Sequence, residues 1–203
     1  EHLTRAGIKH LVLERDRIAE KWRTGRWDSL VANGPAWHDR FPSLEFTNYH
    51  DDAFVPKDKV ADYFVDYAKM FDAPVREGVT VTDLSRKTDD AGFVAQTSIG
   101  PIESRYVISA TGAFQNPNVP PILPEIDGVK QMHSINFRNP QDLPEGNVLV
   151  VGAGSSGVQI ATEIMQSGRK TFLSVGSHDR PPRRYRGRDF VWWLGVLNLW
   201  DTE

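Results

Sequence analysis

The sequence predicts an α/β fold built from two strand–helix–strand units, both incomplete, with a small antiparallel β excursion inside the first. Three observations predict it. The stretch NVLVVGAGSSGVQIATEI runs from an apolar strand through a glycine turn into a helix, and a second strand, KTFLSV, follows. The opening stretch EHLTRAGIKHLVLERD repeats the back half of that pattern: helix end, Gly7, short apolar strand, acid. Between them, residues 78–110 hold three β patterns separated by turn residues.

Leu3 to Ala6 reads as the last turn of a helix, with Gly7 at its C-terminal cap. His10 to Leu13 is a buried-strand pattern, closed by Glu14 and the charged run Arg15-Asp16-Arg17. Residues 22–56 show no clear period. Their tryptophans, Gly34, Pro35 and Pro42 predict long loops with short helical turns. Lys57 to Phe71 is the clearest helix, because Val60, Phe64, Tyr67, Ala68 and Phe71 share one face. Gly78 to Leu84 predicts a strand with Val79 and Val81 on one side. Asp89 to Gly92 predicts a turn, and Phe93 to Ile99 and Ile102 to Ala110 two more strands. Asn116 to Pro124 is a proline-rich connector. Asn147 to Val151, Val158 to Gln166 and Lys170 to Val175 read as strand, helix and strand. The predicted boundaries are 1–115 for the first unit, 116–146 for a connector and 147–203 for the second unit.

The second unit carries Gly152, Gly154 and Gly157 in the order G-x-G-x-x-G. A strand before and a helix after are the context that a Rossmann-like dinucleotide fingerprint requires. Gly152 permits the tight turn, Gly154 lets the backbone approach a pyrophosphate, and Gly157 lets the helix pack closely on the strand. The helix N-terminus then holds negative charge with free N–H groups and its dipole, and Ser155 and Ser156 of the glycine turn are candidate cofactor contacts. A second strand that serves NAD usually ends in Asp or Glu. Here it ends Ser174-Val175-Gly176-Ser177, and Arg180, Arg183 and Arg184 follow. A missing acid beside guanidinium groups favours the 2′-phosphate of NADP, with a solvated basic loop as the plain alternative.

The opening stretch then reads as the back half of another such unit, whose first strand and glycine loop would precede Glu1. Glu14, with Arg15 beside it, stands where a ribose-binding acid belongs. An ordinary surface acid is the other reading. The segment Ala110-Thr111-Gly112 ends a strand in small residues, which let a backbone pass close to a cofactor.

Composition narrows the function further. The chain has 203 residues, 39% apolar and 25% charged, so a packed core and a polar surface are both expected. A net charge of -3 gives no support to nucleic-acid binding. There is no cysteine, which removes disulfides, thiolate metal sites and a C-x-x-C redox centre, and no metal site is expected. No apolar run approaches the ~20 residues of a membrane span, and no signal peptide is visible. A cytoplasmic location is expected, and the chain reads as a piece of a longer protein.

Taken together, these residues resemble the flavin-dependent monooxygenases with two dinucleotide-binding domains. That group includes flavin-containing monooxygenases, plant-type indole-pyruvate monooxygenases and Baeyer–Villiger enzymes. The stretches that carry the resemblance are ERDRIAEKWRTGRWDSLVAN, ATGAFQNPNVP, IDGVKQMHSINF and VLVVGAGSSGVQIATEI. The third resembles the family motif F-x-G-x-x-x-H, followed by three residues and an aromatic, through Gly128, His133 and Phe137. Ile126 replaces the leading Phe. Phe137 in place of the Trp usual in Baeyer–Villiger members points toward the N- and S-oxygenating or indole-pyruvate branches.

The resemblance implies FAD in the first unit and NADP in the second. It implies that Asn33 lies near the reactive edge of the flavin, although an Asn before Gly34 also suits a turn. It implies that Trp22 and Arg23 lie over the flavin ring and that Val81 contacts the adenine through its backbone. His133 falls near the junction of the two domains, where a structural or coupling role is favoured over acid–base catalysis. The implied activity is reduction of FAD by NADPH, then oxygen transfer from a flavin hydroperoxide to a small molecule. The oxygen atom goes to a nucleophilic nitrogen or sulfur, or inserts beside the carbonyl of a ketone or oxo acid, and the partners are substrate and O2. Without the first glycine loop, weak or no FAD binding is expected of this chain alone. An NAD(P)H-dependent flavoprotein reductase and an NAD(P)-sensing binding module are the alternatives. The tail FVWWLGVLNLW is expected to expose an apolar patch.

Overall fold

Helix α1 (His2–Arg5) ends at Ala6, and Gly7 takes a φ of +66° that lets the chain reverse toward the first strand. The computed structural model describes every residue except 89–90, 113, 115, 120, 122–123, 178, 180 and 201–203. The chain divides into two units, residues 1–24 with 58–117 and residues 25–57 with 118–203. The α/β class predicted from the sequence holds in both.

In the first unit, β1 (Val12–Leu13) is followed by α2 (Glu20–Thr24), α3 (Lys57–Met70) and β2 (Val75–Arg76). β1 and β2 pair in parallel, Val12 against Val75 and Leu13 against Arg76. The predicted strand from His10 shortens to two residues because a strand persists only where a neighbour takes its backbone groups. β2 itself, two residues between Pro74 and Glu77, is too short to leave a periodic signal. α3 buries Val60, Ala61 and Tyr63, while Phe64, Tyr67, Ala68 and Phe71 are half-buried. The apolar stripe therefore rotates slightly from the predicted face. Tyr63 stacks on Tyr67 at 6.3 Å, and Tyr67 meets Phe71 edge-on at 5.1 Å.

β3 (Val81–Arg86), β4 (Phe93–Thr97) and β5 (Ile102–Ser104) form the antiparallel excursion, in the order β3-β4-β5. Val79 and Val81 do not share a side. Val79 is buried, its N–H bonded to Glu14 O at 3.0 Å, whereas Val81 is 45% exposed and the ladder shifts register between Val81 and Asp83. The strand expected to run to Ala110 stops at Ser104, and Tyr106 and Ile108 are exposed beyond it. Of the expected turn at 89–92, Asp89 and Asp90 lie outside the described residues. So do Pro120, Ile122 and Leu123 of the connector.

In the second unit, β6 (Val148–Val151), α4 (Ser155–Gln166) and β7 (Thr171–Ser174) form the strand–helix–strand unit. β6 and β7 are parallel, in register from Val148 against Thr171 to Val151 against Ser174. α4 begins at Ser155, a turn earlier than its apolar period indicates, because the glycine turn continues directly into helix. It buries Ile160, Ala161 and Ile164, each large side chain contributing on the order of 1.5–3 kcal/mol. The segment 25–57 groups with this unit. The hairpin and helix that follow β7 were not foreseen. β8 (Arg184–Tyr185) and β9 (Arg188–Asp189) form a hairpin whose turn residues, Arg186 and Gly187, have φ of 48° and 74°. Two positive φ values match the twist that a two-residue hairpin needs. The apolar tail starts as α5 (Phe190–Val196), capped by Asp189, whose Oδ1 accepts from Val191 N–H at 3.0 Å. Trp192 and Trp193 are half-buried, and the tail is exposed at Val196, Leu197, Leu199 and Trp200.

Tyr67 supplies a test of the first unit. Burial, then a hydrogen bond to the Glu1 carboxylate, pushes its phenol up to about 12. A raised value in the folded state means that the contribution to stability is complete below the ordinary ~10 and is lost as pH rises through about 12. An ultraviolet pH titration should show one tyrosine ionising late, and Tyr67→Phe should remove that late step. A late step that survives the substitution would assign it elsewhere.

Candidate functional site

The three fingerprint glycines do three different things. Gly152 has φ +101°, which favours glycine, and its N–H donates to Ser174 O at 3.0 Å across the two strands. At Gly157 a Cβ would lie 1.9 Å from the Gly152 carbonyl oxygen, so α4 is pressed onto the turn and only glycine fits. At Gly154 the backbone is extended, φ -68° and ψ 178°, and a Cβ would meet nothing within 4 Å. Nothing in the packing of the described residues requires a glycine there. Gly154 is the N-cap of α4 and offers no side chain, so none caps the N–H groups of Ser155, Ser156 and Gly157. Open space over a glycine, beside unclaimed donors at the positive end of a helix dipole, fits a pyrophosphate.

The arginines after β7 divide. Arg183 donates to the buried Asp189 at 2.8 Å, and its guanidinium lies 4.6 Å from the centroid of the Phe54 ring. Its Nε–H is thus committed to the residue that caps α5, while the side chain stays 45% exposed. Arg184, in β8, is exposed. Arg180 lies outside the described residues.

In the first unit, Glu14 directly follows β1, with its N–H on Arg76 O and its carbonyl on Val79 N–H, both at 3.0 Å. It therefore sits at the carboxyl edge of the parallel pair. Its side chain folds back to accept from Asp16 N–H at 3.0 Å, and the adjacent Arg15 pairs with Asp16 at 3.2 Å. Trp22 packs on Phe64 of α3, centroids 6.5 Å apart. Arg23 donates to Ile18 O at 2.7 Å and lies 3.7 Å from Asp62. Both side chains help dock α2 on α3. Val81 opens β3, and Ala110, Thr111 and Gly112 lie outside any strand, Gly112 with φ +78°.

Asn33 and His133 are both held in the second unit. Asn33 is exposed, and its Oδ1 accepts from Gln159 Nε2 on α4 at 3.0 Å. One helical turn on, Glu163 accepts from Ser29 Oγ at 2.6 Å. His133 caps a 3₁₀ turn (Ser134–Asn136): its Nδ1 accepts from Ile135 N–H at 3.1 Å, which places the ring proton on Nε2. Four residues separate Gly128 from His133, one more than in the family motif, while the three residues before Phe137 match it. Phe137 is 3% exposed, and the chain after it bonds to the Asn33 segment. Asp28 N–H donates to Arg138 O at 2.8 Å, and Asn139 Nδ2 donates to Asp28 at 2.9 Å. Gln159, Glu163, Asp28 and Asp189 were not foreseen. The only trace in the sequence is the i, i+4 spacing of Gln159 and Glu163, which places them on one helix face.

A parallel strand pair joined by a glycine turn and a helix of this form is the unit of the dinucleotide-binding α/β folds. Residues 1–186 match the family model of the pyridine nucleotide-disulphide oxidoreductases, and the chain belongs to that family. The CzcO-like oxidoreductase of Geobacillus kaustophilus (strain HTA426) is 38% identical over 194 residues, 93% of this chain and 54% of that protein. A probable indole-3-pyruvate monooxygenase of Arabidopsis thaliana, YUCCA1, is 29% identical over 182 residues, 85% of this chain and 42% of that protein. The chain thus spans about half the length of these curated relatives. The fold is shared with a mutant flavin monooxygenase from Stenotrophomonas maltophilia, TM-score 0.78 at 23% identity, over 100% of this chain and 58% of that one.

The Arg183 contacts have a measurable consequence. Arg183→Ala leaves the buried Asp189 without its cation and should cost about 1–3 kcal/mol in denaturant unfolding. A loss below a few tenths would mean that the pair is not formed in solution.

Proposed function

We propose that this chain carries the pyridine-nucleotide half-site, and part of the flavin half-site, of an FAD- and NADPH-dependent monooxygenase. The observation that carries the reading is the division of labour in the glycine turn, above all the open space at Gly154. Gly152, Gly154, Ser155, Ser156 and Gly157 hold the pyrophosphate of NADP. Arg184, with Arg180, takes the 2′-phosphate, and Arg183 supports the hairpin that carries Arg184. Glu14, beside Arg15, accepts hydrogen bonds from the ribose of FAD. Trp22, Arg23, Val81 and the Ala110-Thr111-Gly112 segment flank the rest of that cofactor. The proposed domains are 1–115 and 147–203, with 116–146 between them.

When bound, FAD supplies the chemistry: it takes hydride from NADPH and activates O2. The chain's task is positioning. Asn33 offers an amide N–H that donates a hydrogen bond without surrendering a proton at pH 7. His133 and Phe137 fix the 3₁₀ turn whose far end bonds to Asp28, in the same segment as Asn33. The likeness to an indole-3-pyruvate monooxygenase favours an oxo acid or a nucleophilic nitrogen or sulfur as the oxygen acceptor. A disulfide reductase also falls within the family's description, but these 203 residues contain no cysteine to form a dithiol. Among the described residues no helix is long and apolar enough to cross a membrane. A cytoplasmic location goes with this reading.

Two glycine substitutions test it on the holoenzyme. Gly154→Ala should leave the melting temperature unchanged and weaken NADP+ binding at least about tenfold, since the new methyl group occupies the pyrophosphate path. Gly157→Ala should lower stability and binding together. Equal NADP+ affinity in wild type and Gly154→Ala would remove the nucleotide site from this loop. For the 2′-phosphate, Arg184→Ala should reduce kcat/KM for NADPH about tenfold or more and leave that for NADH unchanged. Equal losses with both cofactors would assign the phosphate contact to another group.

A further inference from the structure

We propose that Gln159 is the positioning residue of Asn33, turning the N–H end of the Asn33 amide outward and tying it to the helix of the nucleotide loop. What Asn33 does rests on the monooxygenase reading above; how it is held rests on the structure.

Asn33 precedes Gly34, yet neither residue has positive φ, so a left-handed Asn-Gly turn does not explain the asparagine. Gly34 is glycine for a separate reason. A Cβ there would lie 2.0 Å from Asp39 Oδ1, and its N–H donates to Asp39 Oδ2 at 2.7 Å. The backbone is fixed further by Ala32 N–H on Val55 O at 2.7 Å and by Asp28 N–H on Arg138 O at 2.8 Å. None of these bonds uses the Asn33 side chain. Its amide contact is with Gln159, at 3.0 Å, and the Glu163–Ser29 bond at 2.6 Å fastens the same segment one turn along α4.

An amide has an acceptor end and a donor end. Gln159 Nε2 donates to Asn33 Oδ1, so the acceptor end is taken and the Asn33 NH2 is left to face away. A glutamate at 159 has no N–H to donate. It would attract the Asn33 NH2 and turn the carbonyl oxygen outward, replacing a donor with an acceptor. The same α4 starts at Ser155 on the nucleotide loop, so Gln159 joins the Asn33 side chain directly to the helix of that loop.

The test uses the holoenzyme with NADPH, O2 and an accepted substrate, and measures how much NADPH ends as hydrogen peroxide rather than oxygenated product. In the uncoupled reaction NADPH, a proton and O2 give NADP+ and H2O2, with two electrons moved. Gln159→Glu should raise the ratio of peroxide to product about fivefold, the scale of one lost hydrogen bond. Gln159→Leu, which adds no charge, should move it in the same direction with NADP+ affinity within about twofold of wild type. In an Asn33→Ala background neither substitution should add to the effect. A second readout needs no flavin: the side-chain amide resonances of Asn33, followed by NMR, should shift in Gln159→Glu and Gln159→Leu. Unchanged Asn33 resonances, or the same rise in peroxide with Asn33 already removed, would overturn the proposal. Gln159-dependent resonances together with an Asn33→Ala enzyme that couples normally would support the positioning and sink the role given to Asn33 above.

Discussion

The contact on which the second unit depends is between Gly157 and the carbonyl of Gly152, where a single Cβ would come within 1.9 Å of the oxygen. Such an approach pins the first turn of α4 to the end of β6. Once that turn is fixed, the direction of its free N–H groups is fixed too. So is the height along the helix at which Gln159 and Glu163 meet the 29–33 segment. The direction of those donors and an anchoring face therefore follow from one close packing contact, and both would shift if the helix moved.

The segment between Trp27 and Val55 shows how a chain with little regular structure becomes ordered. Trp27, Leu30, Ala32, Ala36 and Val55 are buried, and its backbone hydrogen bonds run to its own return strand and to Arg138. Side-chain bonds to α4 and Asn139 complete the set. Since buried backbone groups must be paired, a loop with this many partners has few alternative conformations. An exposed amide of this segment, Asn33, is then presented from a rigid base.

Much of this was legible in the sequence, and the losses have physical causes. The glycine loop, α3 and the antiparallel excursion follow from local chemistry: turn residues, apolar periodicity and alternation. The errors fall where structure depends on distant partners. β1 shortened and β5 stopped at Ser104 because ladder neighbours, which no local pattern reports, decide strand length. Val81 turned outward because of a register shift in its pairing with β4. Among the candidate site residues, Glu14 could be placed at a strand end from sequence alone, but the Gln159–Asn33 bond joins residues 126 positions apart. No spacing rule reaches that far. The family motif around His133 was recognisable despite its extra residue, because the histidine-to-aromatic spacing is intact.

The claim at the centre is that the N-terminus of α4 grips a pyrophosphate over Gly154. Backbone amide NMR during titration of the protein with NADP+ tests it most directly. Saturable shifts largest at the N–H groups of Ser155, Ser156 and Gly157 would bear it out. Shifts confined to other parts of the chain, with those three amides unmoved at saturation, would contradict it.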